Sequence, residues 1–288
     1  MPTFATPGPI TATVQVAGAQ VRVTASDRTD TVVLVEPLDG ARRSGKVAAK
    51  TKVDFAGGQL SVKTTVAGDK NGSVAITIAL PAGSNLVAYL AHSSVQVDGP
   101  LGESELHTAS GRVQLDRTDA LHANISAGEV AVGHVAGRAE IDGSAIDVRI
   151  GEVDGTVRIA GARGQAWIGH ASADLDLSSA GGGFDIGRAD AGVTATTASG
   201  AIRIGRLSRG HARLVTGSGD IEVGIGEGAA AAIDADSERG AVRNSVAAQA
   251  IPAMSDVMVS VHARTRDGDI IIRRVAADPQ EASVISTS

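Results

Sequence analysis

The chain has 288 residues, a formal net charge of −6 and no cysteine. That charge argues against a general affinity for nucleic acid or an anionic membrane, and the missing thiols remove disulfides and thiolate metal sites. Glycine, at 36 residues, suggests disorder by itself, yet 43% hydrophobic residues in strict patterns point instead to a folded chain with many tight corners.

The start, Met1-Pro2-Thr3-Phe4, lacks a basic stretch followed by an apolar core, and nowhere do about eighteen apolar residues run together. The expectation is a cytoplasmic protein with no signal peptide and no integral membrane segment, with surface exposure left open. Apolar and polar residues alternate over 10–16, 19–24, 31–35, 59–66 and 73–80, separated by Gly, Asp and Pro. This predicts a small β-sheet joined by hairpins, an N-terminal segment over 1–80 that caps the remainder of the chain. Within it, Arg42, Arg43, Lys46, Lys50 and Lys52 read as a solvated hairpin loop, or else as a contact for an acidic partner or phosphates.

Beyond residue 81 the chain repeats itself. Val132-Gly133, Ile150-Gly151, Ile168-Gly169, Ile186-Gly187 and Ile204-Gly205 each follow the last by 18 residues. A fixed period of this length marks structural units that cannot bury their apolar side chains alone and must stack as a solenoid. Framed from each glycine, the columns Ala139/Val157/Leu175/Val193 and Ile141/Ile159/Leu177/Ala195 form one alternating pair. Val148/Ala166/Phe184/Ile202 and the aliphatic of the doublet form a second, nine residues on. Each pair is a short strand with one buried face, so a coil has two strands and is two-sided. Gly137, Gly155, Gly164, Gly183 and Gly200 are expected at corners with positive φ. The period continues upstream through Leu115 and Val97 and downstream through Ile221 and Val223. It loosens around an insertion at 247–255, then returns over Val257 to Ala263 and Gly268 to Ile272. The prediction is an all-β parallel solenoid of about nine coils over 81–275 with an N-terminal β-sheet cap, and a polar C-terminal tail over 276–288.

The alternating first segment, the connector Leu80-Pro81-Ala82-Gly83-Ser84-Asn85-Leu86, units such as Ala198-Ser199-Gly200-Ala201-Ile202 and Gly217-Ser218-Gly219-Asp220-Ile221, and the closing Asp267-Gly268-Asp269-Ile270-Ile271-Ile272 occur in that order. In this the chain resembles a bacterial β-strand-repeat family of unknown function whose members are usually labelled "putative adhesins". The resemblance covers about residues 10–275. It implies a solenoid fold and an adhesin-like role at a surface, and it carries no catalytic residues to particular positions.

His134, Glu152 and His170 share one column with Arg188 and Arg206, so a His/Glu/His set could hold a divalent metal. The neighbouring arginines favour an exposed ladder instead, and no metal or cofactor is assigned. Calcium needs a recurring Gly-Gly-x-Gly-x-Asp turn, which Gly181-Gly182-Gly183-Phe184-Asp185 misses. Gly224-Ile225-Gly226-Glu227-Gly228 lacks the Gly-Lys-Ser/Thr ending of a nucleotide loop. Asp174, Asp176 and Asp185 would be the acids of a β-helical carbohydrate-active enzyme, but Asp176 and Asp185 fall half a coil apart, on opposite sheets. Among the few aromatics, Trp167 alone reads as directed outward, so glycan binding rests on little. The expected function is a non-enzymatic scaffold whose rows of side chains engage a protein partner or another copy of the chain. Adhesin-like glycan binding is the alternative, and Trp167, Arg42, Arg43 and Lys46 are the interaction candidates.

Overall fold

An apolar side chain at every second residue gives each strand one face to bury, and in a coil of two strands both faces turn toward a shared interior. The computed structural model describes residues 2–64, 72–246 and 258–276 and divides into two compact units, Met1–Asp154 and Gly155–Ser288. It is an all-β parallel solenoid built from two-sided coils.

The first unit contains β1 (Thr3–Ala5), β2 (Thr11–Ala17), β3 (Ala19–Ser26), β4 (Asp30–Pro37), α1 (Arg42–Lys50), β5 (Lys52–Ala56), β6 (Gln59–Lys63), β7 (Val74–Pro81), β8 (Asn85–Ala91), β9 (Ser93–Val135) and β10 (Ala139–Val153). One sheet runs β6, β2, β8 and then the 104–108 stretch of β9, all parallel. The other runs β7, β3 and the 94–98 stretch of β9, also parallel. The chain passes from one sheet to the other at corners such as Gly18, whose φ is 64°. β9 and β10 bend around successive coils without losing their ladder, so Ile141 stacks on Ala123 and Ile150 on Val132. The alternating aliphatics Val14, Val23, Ile78, Ala88, Leu106, Ile141 and Ile150 are all fully buried.

Two expectations for the N-terminal segment change. Among the expected strands, only β6 closes a hairpin, with β5 across Gly57-Gly58. β2, β3, β6 and β7 instead enter the parallel ladders, so residue 80 is no break in ladder type. The reason is stacking out of chain order: the coil β2/β3 lies between β6/β7 and β8/β9. Antiparallel strands stand outermost, β5 on β6, β4 on β7 and β1 on β4. Phe4 of β1 stacks on Phe55 of β5 with ring centroids 5.1 Å apart, joining the outermost strands of the two sheets. The basic stretch is a helix from Arg42 to Lys50 rather than a loop, and Lys52 opens β5. Ser44 and Val47 form its buried stripe against β4 and β7, and Arg42, Arg43 and Lys46 stay outside.

The second unit contains β11 (Val157–Arg163), β12 (Ala166–Ala171), β13 (Leu175–Gly181), β14 (Phe184–Ala189), β15 (Val193–Ser199), β16 (Ile202–Leu207), β17 (Gly210–Ser218), β18 (Ile221–Gly226), β19 (Ala230–Arg239), β20 (Val242–Asn244), β21 (Met258–Asp267) and β22 (Ile270–Val275). Odd-numbered strands from β11 to β17 form one parallel sheet and even-numbered strands from β12 to β18 the other. Ile168, Ile186, Ile204, Val223 and Ile272 stand in one buried row. Here too the order of stacking departs from the order of the chain: β21/β22 lies between β17/β18 and β19/β20. The expected insertion at 247–255, Val257 and the tail beyond Ala276 lie outside the described residues.

The glycine of the repeated doublet has a steric cause. A Cβ on Gly187 would lie 2.5 Å from the carbonyl oxygen of Gly169, and one on Gly151 2.5 Å from that of Gly133. Each glycine therefore leaves room for the one stacked on it. Of the five expected corner glycines, Gly164 and Gly200 adopt positive φ, at 116° and 145°, and Gly137, Gly155 and Gly183 do not. Gly137 and Gly183 owe their identity to close backbone approach instead, each with a Cβ position 2.7 Å from a carbonyl oxygen.

Candidate interaction surfaces

The outward side chains of both units stand in rows locked across coils. In the second unit, Glu222 on β18 accepts from Arg203 on β16 at 3.0 Å and from Arg273 on β22 at 2.8 Å. Burial pushes its carboxyl up, but these two guanidiniums outweigh that and hold it below the usual carboxylate range. Arg158 faces Asp176 across β11 and β13, a cross-strand pair of opposite sign.

The His/Glu/His column is occupied by pairs. His134 Nε2 lies 2.9 Å from Asp154 Oδ2, and His170 Nε2 lies 2.9 Å from Asp190 Oδ2. Glu152 stands in register with His134, and His170 with Arg188. No three His, Asp or Glu side chains among the described residues gather closely enough to hold a metal ion. Asp190 also accepts from Arg188 Nε at 2.9 Å. Partial burial raises its pKa, but the hydrogen bonds, led by that of Arg188, hold the carboxylate well below its usual range. The carboxylates of these pairs, Asp154 and Asp190, sit two residues past the column that the sequence singled out.

Trp167 is exposed on β12, in register with Asp185 on β14. It is not alone. Tyr89 on β8 is 41% exposed, slightly more than Trp167 at 38%. Its ring stacks on His107 in the next coil, centroids 4.9 Å apart and planes 5° from parallel, because the two residues are in register. His107 Nε2 lies 2.7 Å from Glu105, and His122 follows edge-on at 6.5 Å. Sequence reasoning missed this ladder. The signal was present, since Tyr89 occupies an outward position between buried Ala88 and Leu90.

The other sheet of the first unit carries a groove of about 540 Å³ lined by Gln20, Arg22, Ser94, Gln96, Arg112 and Gln114, with Ala75 and Thr77 at one edge. It shares Gln20, Ser94 and Arg112 with an adjoining hollow of about 360 Å³, where Leu38 and His92 stand. The depression follows from side-chain size: β3 places Gln20 between Ala75 and Ser94, and Arg22 between Thr77 and Gln96. Short side chains beside long ones make a trough in an otherwise flat sheet. Arg22 donates to Gln96 Oε1 at 3.1 Å, Gln96 donates to Asp98 at 3.3 Å, and Arg112 donates to Glu129 at 2.8 Å. Among the described residues His92 is the one non-glycine with positive φ, 49°, and its Nδ1 lies 2.7 Å from Ser110 Oγ. A residue held in that region is strained and marks a place where function can reside.

No family model matches the chain, and no curated protein matches it. Solved structures do. A protein named "putative adhesin" from Parabacteroides distasonis is similar over 95% of each chain, with 14% identity and a TM-score of 0.44. One so named from Parabacteroides merdae is similar over 95% of each chain, with 11% identity and a TM-score of 0.42. A third, from Bacteroides fragilis, matches over the same shares with 15% identity and a TM-score of 0.34. No helix among the described residues is long and apolar enough to cross a membrane.

Proposed function

We propose that the chain is a non-enzymatic recognition scaffold, whose outward rows of side chains bind a partner and release it chemically unchanged. The observation that carries this reading is the Tyr89–His107 stack with its flanking Glu105: a flat aromatic platform held in place by backbone register rather than by a mobile loop. Such a surface is preorganised, so little ordering entropy opposes binding. Aromatic faces suit the apolar side of a sugar ring or a proline-rich or aromatic protein segment. The test is a glycan and protein array probed with the purified chain. Saturable binding that falls at least tenfold in Tyr89→Ala and His107→Ala, with unchanged circular dichroism, supports the scaffold; conversion of a bound ligand into product overturns it.

A second reading, association with another copy, draws on the edge of the second unit. Among the described residues β19 and β20 have a ladder partner on one side only, β21 and β22. Unpaired strand edges add strands from other molecules unless charge discourages them. Asp234, Asp236 and Glu238 are exposed along β19. Light scattering decides between edge and platform: dimers or larger species lost in Ala232→Pro support the edge, and monomers at every concentration exclude it.

A further inference from the structure

We propose that the groove on β7, β3 and β9 binds a carboxylated polysaccharide that runs across the strands. The proposal deepens the scaffold reading and rests on it. Three observations select this ligand. The first is charge: two guanidiniums, Arg22 and Arg112, and three amides line the groove, and no carboxylate is among the lining residues. Each guanidinium is oriented by a rim carboxylate: Asp98 lies 3.8 Å from Arg22, which also donates to Gln96 at 3.1 Å, and Glu129 lies 2.8 Å from Arg112, so a polyanion must compete with these exposed pairs. A guanidinium carries five N–H donors, so most of each fork remains available to a carboxylate.

The second is spacing. The groove crosses four successive rungs: β7, β3 and the 94–96 and 112–114 stretches of β9. A Cβ on Gly111 would lie 1.9 Å from Ser93 O, which places the 111–114 rung directly on the 93–96 rung. Positions in register therefore recur every ~4.8 Å across the groove, and the rungs that carry Arg22 and Arg112 are two steps apart. One pyranose ring advances a chain by about that distance, so each ring meets one rung. An extended peptide lying the same way presents side chains to one face only every ~6.8 Å, out of step with the rows.

The third is the chemistry of the groove's neighbours. Ser94, Ser110 and His92 offer hydroxyl and imidazole partners for sugar hydroxyls, and exposed Leu38 offers an apolar contact for a ring face. The groove has no aromatic platform of its own, so recognition here depends on hydrogen bonds and charge.

The experiment is calorimetric titration of the whole chain with an oligogalacturonate at low salt, beside a neutral malto-oligosaccharide and poly-L-glutamate. Saturable binding of the oligogalacturonate is expected, weakened about tenfold in Arg22→Gln and in Arg112→Gln. Ser94→Trp, which fills the trough, should abolish it, and Tyr89→Ala on the opposite sheet should leave it unchanged. Circular dichroism confirms that the variants fold. No binding of the oligogalacturonate overturns the proposal, as does equal binding of poly-L-glutamate or of the neutral sugar. Because Tyr89→Ala reads the platform and Ser94→Trp the groove, failure of the groove leaves the scaffold reading standing, and the reverse pattern separates them equally well.

Discussion

Thr197, Thr216 and Thr265 are almost completely buried, and each donates its hydroxyl to a glycine carbonyl at a corner of the stack: Gly182 at 2.9 Å, Gly200 at 2.9 Å and Gly219 at 3.0 Å. Corners lose the regular ladder, so their carbonyls need another donor, and the threonine column supplies one per coil. Thr216→Val keeps the shape and removes the donor. It should lower stability by about 1–3 kcal/mol in urea denaturation, with Thr216→Ser recovering most of the loss. Gly187→Ala tests the steric reading of the repeat. With its Cβ position 2.5 Å from a backbone oxygen, the coils must shift, at a cost on the order of 1–3 kcal/mol. Gly187 has no positive φ, so alanine meets no backbone strain of its own there, and a neutral replacement would overturn the steric reading.

Asp190 gives a pH dependence of known sign. Its pKa in the folded protein is lowered, so its contribution to stability is complete above the unfolded carboxylate value, about 4. That contribution is lost as the pH falls through the lower folded value. Asp190→Asn should therefore flatten the acid limb of the stability profile below about pH 4, read as urea midpoints, relative to the unmodified chain. An unchanged acid limb would show that Arg188 and His170 contribute nothing through this carboxylate.

At the scale of elements, apolar content decides which coil stands inside and which stands at the edge. In β21 and β22, Val259, Val261, Ala263, Ile270 and Ile272 are fully buried. In β19, Ile233 and Ala235 are half-buried, and Val242 of β20 is exposed. The later, more apolar coil takes the inner place, where both of its ladders are paired, and the more acidic coil takes the edge. Hydrogen exchange should follow the stack and not the chain: β19 and β20 should exchange faster than β21 and β22, though the latter lie nearer the C-terminus. Correspondingly, Ile272→Ala should cost about 2–5 kcal/mol, and Ile233→Ala clearly less. The same logic operates in the first unit, where β2/β3 is enclosed by β6/β7 and β8/β9.

For the whole molecule, a solenoid's stability is a sum over coils and their nearest neighbours. A charge placed in the buried row of one unit should thus act locally first. Ile204→Asp is expected to abolish exchange protection in the coils around β16 before that of β9 and β10 is lost. Uniform loss of protection across both units would instead show all-or-none cooperativity.

The amino-acid sequence alone determined the period, the two-sided coil and the inward columns. An interval of 18 with two alternating pairs admits little else once every apolar side chain must be buried. It also placed Trp167, Arg42, Arg43 and Lys46 on the surface, since charge and isolation mark them. The order of stacking was decided only by the tertiary structure, because β2/β3 and β21/β22 gain their positions from neighbours distant in the chain. The same holds for the basic helix, whose Ser44–Val47 stripe has meaning only against β4 and β7. The Tyr89–His107 stack and the groove around Arg22 and Arg112 arise from register between coils. Register sets which side chains stand beside one another, and no single coil contains that information.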